Sequence, residues 1–426
     1  MITKLCLENF RAIAKKDLEL GKITVLTGPN NSGKSSVIYA LLALKNLVLN
    51  PNQSLDGFLN LGFLNLGGFA QTVHLKKESL DIGLTIEVSR NGAHAQYSVS
   101  LGKKKSELRL RTSKPIQLSL DLEVTFPYSA SQSTGTEIKR PFGVVKITWN
   151  GISSTVHVTP IVSKLQNVNE NNNLPDGESD ENTTSELPSE ISEKDTTEAL
   201  CKALSAPIEE LKSVDFVPLR RGFTKPNYSS VPMQQQLLNE DELATLLATD
   251  RDLEGKVALY LEKIVDRTFM VRPTIGTANF DLQSRDRSTG LVCDLVNEGF
   301  GTNQLVTILT KALRDQMHTI CIEESEIHLH PQLMDKLVSV FVEIANEEDK
   351  SFILSTHSEH IVLSLLNKIA QGKMKPDDLK LYYFSKKGKK TSIEQQSINE
   401  KGQIKGGLKG FFEAELEHVR DFFSIS

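Results

Sequence analysis

The chain has 426 residues, of which 39% are hydrophobic and 24% charged, with four cysteines and a net charge of −5. That length exceeds one ordinary core, so two or three lobes are expected, and no run nears the roughly 18 uncharged apolar residues that a membrane span needs. Cys6, Cys201, Cys293 and Cys321 are scattered without a C-x-x-C pair, which argues against a disulfide framework or a structural zinc site and for a reduced, cytoplasmic chain.

The N-terminus, MITKLCLENFRAI, alternates as a strand with charges inside it and does not read as a signal peptide. A second strand over 23–27 runs into GPNNSGKSS, and KSSVIYALLALKNLV, 34–48, follows as a largely buried helix. Gly28, Pro29, Asn30, Asn31, Ser32, Gly33, Lys34 and Ser35 fit G-x-x-x-x-G-K-[ST], with Ser36 next. In such a loop the glycines let the backbone curl so that successive N–H groups face phosphate oxygens. The helix opening at Lys34 adds its positive end. Lys34 is expected to reach the β- and γ-phosphates of ATP, and Ser35 to hold Mg²⁺. Residues 1–77 are therefore expected to be the first half of an ATPase lobe.

From 78 to 165 the pattern changes to short alternating runs such as LDIGLTIEVS, IQLSLDLEVTF and GVVKITW between turn residues, an inserted antiparallel β-lobe. The next stretch, 166–197, is polar, aperiodic and acidic, and is expected to be disordered. Ten acids against one lysine between Gln166 and Leu200 leave the rest of the chain mildly basic. Helical spacing marks 198–285 as a helical subdomain. Over 286–385 buried strands, HTICIEE and KSFILST, alternate again with helices, the second half of an α/β lobe with a parallel sheet. Residues 386–426 form a C-terminal extension.

Three further stretches carry chemistry. In HTICIEESEIHLHP a buried strand delivers Glu323 and Glu324 at its C-terminal end, where the first can hold magnesium through water and the second can polarise the attacking water. In SFILSTHSEH another strand ends at His357, placed to sense the γ-phosphate or the water. In NEGFGTNQLVTIL a glycine-rich turn opens an apolar helix, a second anion-binding helix start that one nucleotide has no use for within one subunit. A head-to-tail pair of chains supplies the use. His328, His330, His357 and His360 also have spacings a zinc ion accepts, although both pairs already have positions in the ATPase pattern.

Taken in order, LENFRAI, TGPNNSGKSS, GFGTNQ, IEESEIHLHP and STHSEH resemble the motifs of ABC-type ATPases of the RecF/SMC/OLD class, over roughly 1–75 and 290–385. The resemblance implies an α/β ABC-ATPase fold with the lobe split by inserts. It makes Lys34 and Ser35 ligands of phosphate and magnesium, Glu324 the base and His357 the switch. Gly299, Gly301 and Asn303 become the signature that acts on the other subunit's ATP, with Asn303 where serine is common. His330 falls in the D-loop, Arg11 at the nucleotide, and Gln71 becomes a glutamine lever toward the metal. The chain lacks the long heptads of SMC proteins, and too few residues follow the last strand motif for the nuclease domain of OLD proteins. It is thus similar to stand-alone ATPases of bacterial anti-phage systems such as Septu and PARIS, which imply a homodimer or larger homo-oligomer and a separate effector, often a nuclease. The alternatives are a RecF-like DNA clamp, served by the basic turns GKKKSELRLR, RRGFTKP and SKKGKK, and a slow scaffold that neutralises a toxic partner.

Overall fold

The computed structural model describes residues 1–90, 92–114, 116–128, 132–140, 143–160, 193–233, 237–388 and 390–407. The chain begins with β1 (Ile2–Phe10), β2 (Ile13–Glu19) and β3 (Ile23–Thr27), then α1 (Lys34–Leu49) and the short α2 (Gly68–Thr72). Seven strands follow: β4 (Ile82–Arg90), β5 (Ala93–Leu101), β6 (Ser106–Lys114), β7 (Leu118–Val124), β8 (Thr134–Arg140), β9 (Gly143–Trp149) and β10 (Ser154–Pro160). Next come α3 (Glu193–Lys212), β11 (Val214–Val217), β12 (Tyr228–Ser229), α4 (Glu240–Thr249), α5 (Arg251–Val265), β13 (Arg267–Pro273), β14 (Asn279–Asp286) and β15 (Val292–Asp294). The chain closes with α6 (Phe300–Ala312), β16 (Thr319–Glu323), α7 (Pro331–Glu347), β17 (Ser351–Thr356), α8 (Glu359–Ala370), β18 (Leu379–Lys387) and β19 (Lys390–Gln396).

The central sheet runs β11-β16-β17-β3-β18-β19, parallel except for the β18–β19 hairpin. β3, β16 and β17 are buried at every residue, as ITVLT, TICIE and SFILST require of strands covered on both faces. One apolar core contains α1 and the β-lobe; a second contains α5 to α8. Register matters most here: Glu323 pairs with Ser355, and Thr356 pairs with Thr27. The C-terminal ends of β16, β17 and β3 therefore lie side by side, each followed by a turn carrying candidate site residues.

The α/β class, the inserted antiparallel lobe and the helical segment are present as expected. The lobe begins earlier than its sequence pattern does: β1 and β2 join β4 to β7 in one sheet, β2-β1-β4-β5-β6-β7, so a cut between 77 and 78 passes through it. A second sheet, β10-β9-β8, follows, and α3 lies against β4, β5, β6 and β10. Within 198–285 the structure adds two features that helical spacing does not foretell: the small sheet β12-β14-β13, to which β15 adds from 292–294, and β11, an edge strand of the central sheet. The segment 166–197 lies outside the described residues up to Glu193, where α3 begins, and so does 408–426 of the C-terminal extension.

Among the described residues β11 pairs only with β16, so its other edge needs partners. Two lysines supply them. Lys45 of α1 donates to the Val214 carbonyl, and Lys311 of α6 donates to the Phe216 carbonyl at 2.8 Å. The Phe216 N–H is taken by Asp215 Oδ1 at 2.7 Å, and Asp215 is itself paired with Lys311 and Arg314. One buried edge thus ties the helix after the glycine loop to the helix after the second glycine-rich turn.

Candidate functional site

The loop after β3 has the shape of a cradle. Gly28 has φ 134°, and a Cβ there would lie 2.1 Å from the Phe384 carbonyl oxygen, so only glycine fits. Asn31 and Gly33 also take positive φ, 58° and 104°, and turn the chain into α1. Pro29, Asn30 and Asn31 form the exposed rim, while Ser35 is half-buried and Ser36 buried. Ser32 is fully buried with its hydroxyl unpartnered. Lys34 is buried too, and its amine donates to the carbonyls of Gly28 at 2.8 Å and Pro29 at 2.9 Å. Burial lowers its pKa to about 8, against the opposing pull of Glu324 and Glu326. A curled backbone, an orphaned hydroxyl and an ammonium held only by its own loop suit an incoming phosphate.

Two strand ends face that cradle. Glu323, the last residue of β16, accepts a 2.9 Å hydrogen bond from Tyr39 Oη of α1. Burial and then Glu323 hold the Tyr39 hydroxyl well above its ordinary pKa, so it is a donor. The Arg11 guanidinium lies 5.3 Å from the Tyr39 ring centre, and its Nη1 is buried without a partner. Burial lowers the Arg11 pKa, opposed by Tyr39 and Glu323. The turn that carries Arg11 is pinned by its own N–H, which donates to Thr72 at 2.7 Å, and by His74 Nδ1, 2.9 Å from its carbonyl oxygen.

Glu324 sits at φ 45°, a left-handed conformation that non-glycine residues seldom hold without support. The support is visible. Its N–H donates to Ser355 at 2.7 Å, and Arg221 donates to the carbonyls of Glu323 at 2.6 Å and Glu324 at 2.7 Å. Burial pulls the Arg221 pKa down to about 10, with Glu326, Glu324 and Glu323 opposing. The raised turn points the Glu324 carboxylate at His357, with Oε1 3.4 Å from Nε2 and both side chains about one-third exposed. Glu326 closes the arrangement: one oxygen accepts from Thr356 Oγ1 at 2.5 Å and from the N–H groups of His357 at 2.9 Å and Ser358 at 3.2 Å.

The structure thus brings together Lys34, Ser35, Arg11, Glu323, Glu324 and His357. Tyr39, Arg221 and Glu326 were not among the sequence candidates. Arg221 lay in a stretch read as a basic turn, and Tyr39 in a helix read as buried; only the register of β16 against β17 shows what they hold. The second glycine-rich turn is a separate surface. Gly299 precedes α6, Phe300 is 72% exposed, and a Cβ on Gly301 would lie 3.0 Å from the His328 carbonyl oxygen. Asn303 faces inward, accepting from the Phe223 N–H at 2.6 Å and donating to the carbonyls of Phe223 and Leu295. His330 caps α7, His328 packs on Phe300, and Gln71 is exposed on α2 beside the Thr72 that pins Arg11. Among the described residues no group of three or more His, Cys, Asp or Glu is placed to hold a metal ion.

Several cations of the first two basic turns are paired with acids. Lys103 pairs with Glu78, Lys105 with Glu123, Arg109 with Glu107 and Asp121, and Lys225 with Asp241. Among the described residues no helix is long and apolar enough to cross a membrane.

Similar solved structures include the SMC head domain from Thermotoga maritima, 10% identical over 92% of this chain and 98% of that one, with a TM-score of 0.42. An SMC head bound to the C-winged helix domain of ScpA is 10% identical over 93% and 98%, TM-score 0.45. An SMC head with an extended coiled coil from Pyrococcus furiosus, bound to the C-terminal domain of ScpA, is 9% identical over 99% of both chains, TM-score 0.42. No curated protein matches the chain. A family described only as a protein of unknown function matches residues 374–420. The AAA ATPase domain family matches residues 1–362, most of the chain including the cradle, both carboxylates and His357, and the protein belongs to that family.

Proposed function

We propose that the protein is an ABC-type ATPase of the RecF/SMC/OLD kind, whose two copies close around ATP to control a separate effector. The observation that carries this reading is the meeting of Lys34, Glu323, Glu324 and His357 at three adjacent strand ends. The curled loop and Lys34 would hold the phosphates, and Ser35 with Glu323 the magnesium ion, whose charge polarises the terminal phosphate when bound. Tyr39 orients the Glu323 carboxylate. Glu324, raised on its left-handed turn, aligns a water and takes its proton. His357 shares that carboxylate and hangs on Glu326, so a change at the γ-phosphate position reaches β17 and α8 through one side chain.

The exposed turn at Gly299–Gly301 completes the other copy's site, which makes the working unit a dimer. The effector role, a sensor subunit that licenses a nuclease in anti-phage defence, rests on resemblance alone. Pairing of Lys103, Lys105 and Arg109 with acids leaves the DNA-clamp reading with less free positive charge than its sequence promises. Nucleotide binding tests the core of the proposal: Lys34→Ala should weaken ATP binding by about 100-fold or more, as loss of a buried charge-assisted contact does. Unchanged affinity would remove the cradle from the account.

A further inference from the structure

Asn303 lies on the first turn of α6, just beyond the exposed turn at 299–301, yet its side chain has little left to offer a second copy. It is 8% exposed. Its oxygen accepts from the Phe223 N–H at 2.6 Å, and its nitrogen donates to the carbonyls of Phe223 at 2.8 Å and Leu295 at 3.1 Å. An asparagine amide has two N–H donors, and both are used. The pair of bonds to Phe223 takes one residue by its N–H and its carbonyl together, which fixes where that stretch of loop sits.

Phe223 is two residues from Arg221, and Gly222 fits closely between them. Gly222 has φ 124°, a conformation that favours glycine, and a Cβ there would lie 3.1 Å from Asn303 Oδ1. Arg221 in turn donates to the Pro218 carbonyl at 3.1 Å and to those of Glu323 and Glu324. Residues 221–223 are therefore a bridge. One end holds the turn that carries Glu324, and the other is held by the helix that the exposed turn opens. The same helix start also meets the segment after Glu324: Phe300 packs on the His328 ring with centres 5.5 Å apart, and Gly301 lies against the His328 carbonyl oxygen.

We propose that Asn303 is a positioning residue for the Glu324 of its own chain, acting through Phe223 and Arg221, rather than a contact to the other copy's ATP. A reacting group misplaced by about 1 Å loses on the order of 100-fold in rate. A loosened bridge is therefore felt in turnover, while ATP binding, which belongs to Lys34 and its loop, is spared. The catalytic consequence rests on the ATPase reading; the bridge does not.

Two variants loosen the bridge in different ways: Asn303→Ser removes the amide, and Gly222→Ala sets a Cβ against Asn303. The first measurement needs no nucleotide. Amide hydrogen exchange of the full chain should rise about fivefold or more at 221–224 and 323–326 in both variants, and stay unchanged in α8. Unchanged exchange at 323–326, or a rise that spreads over α8 as well, overturns the bridge. The second measurement assigns the site on which Asn303 acts. A trace of Asn303→Ser is assayed for ATP turnover in an excess of Glu324→Gln, so that each tested chain pairs with one that has an intact turn and no base. Turnover about tenfold or more below that of wild type in the same excess is expected, with ATP affinity unchanged. Turnover restored to the wild-type level would mean that Asn303 acts on the other copy's ATP. That result, or an equal loss of affinity and turnover, overturns the positioning role. The exchange difference in a protein whose wild type hydrolyses no ATP would count against the ATPase reading alone.

Discussion

The turn at the end of β16 and the turn that opens α6 are built in opposite ways. Residues 323–326 are held from every side: Tyr39 on one carboxylate, Arg221 on two carbonyls, Ser355 on an N–H, and Glu326 reaching across to the next strand. The strained backbone of Glu324 persists because its surroundings over-determine it. At 299–301 the chain is anchored through Asn303 on Phe223 and Glu298 on Arg267 and Ser284, and Phe300, though it packs on His328, is 72% exposed. In the proposed mechanism, the difference separates a turn whose supports all come from its own chain from a turn that meets a second copy. A turn that places reacting groups has to be rigid beforehand, whereas a turn that meets a partner needs accessible surface.

Breaking the supports of the first turn should produce the largest effects. Arg221→Ala leaves buried carbonyls without donors, and we expect a stability loss of about 3 kcal/mol, read from denaturant midpoints, together with loss of ATP turnover. A stable, active variant would mean that the turn holds itself. Tyr39→Phe removes one hydroxyl and sharpens the comparison: magnesium's contribution to ATP affinity should fall about tenfold, as when a metal ligand loses its orienting partner, while binding in EDTA is unchanged. Equal losses with and without magnesium would make Tyr39 a packing residue instead.

The smallest effect concerns pH. In the free protein the Lys34 amine titrates at about 8 because burial penalises its charge. Bound phosphate favours the charged form, so binding takes up a proton above that value. ATP affinity should be flat below pH 8 and fall above it, by up to about tenfold per unit. A rise in affinity with pH would place a different group in the cradle.

Much of this site can be read from the sequence, for a physical reason. The glycine loop, Glu323 with Glu324, and His357 each lie at the C-terminal end of a short, fully buried strand, so composition and period locate them. Arg221, Tyr39 and Glu326 act across strands, and nothing in their neighbours distinguishes them from a basic turn, a core aromatic or a helix-leading acid. Likewise VDFV, four residues directly after α3 in a segment whose spacing reads as helical, is the edge strand that Lys45 and Lys311 seal. Asn303 shows the converse, since its place in a glycine-rich turn marks it as ligand-facing while its amide is spent on Phe223.

In the proposed mechanism the exposed turn at 299–301 of one copy completes the ATP site of another. The most direct measurement is the solution mass of Glu324→Gln with ATP and magnesium, alone and combined with Phe300→Glu. A stable dimer is expected for the first, and a monomer that still binds ATP for the second. A Glu324→Gln protein that binds ATP and stays monomeric, or a dimer indifferent to Phe300→Glu, would contradict it.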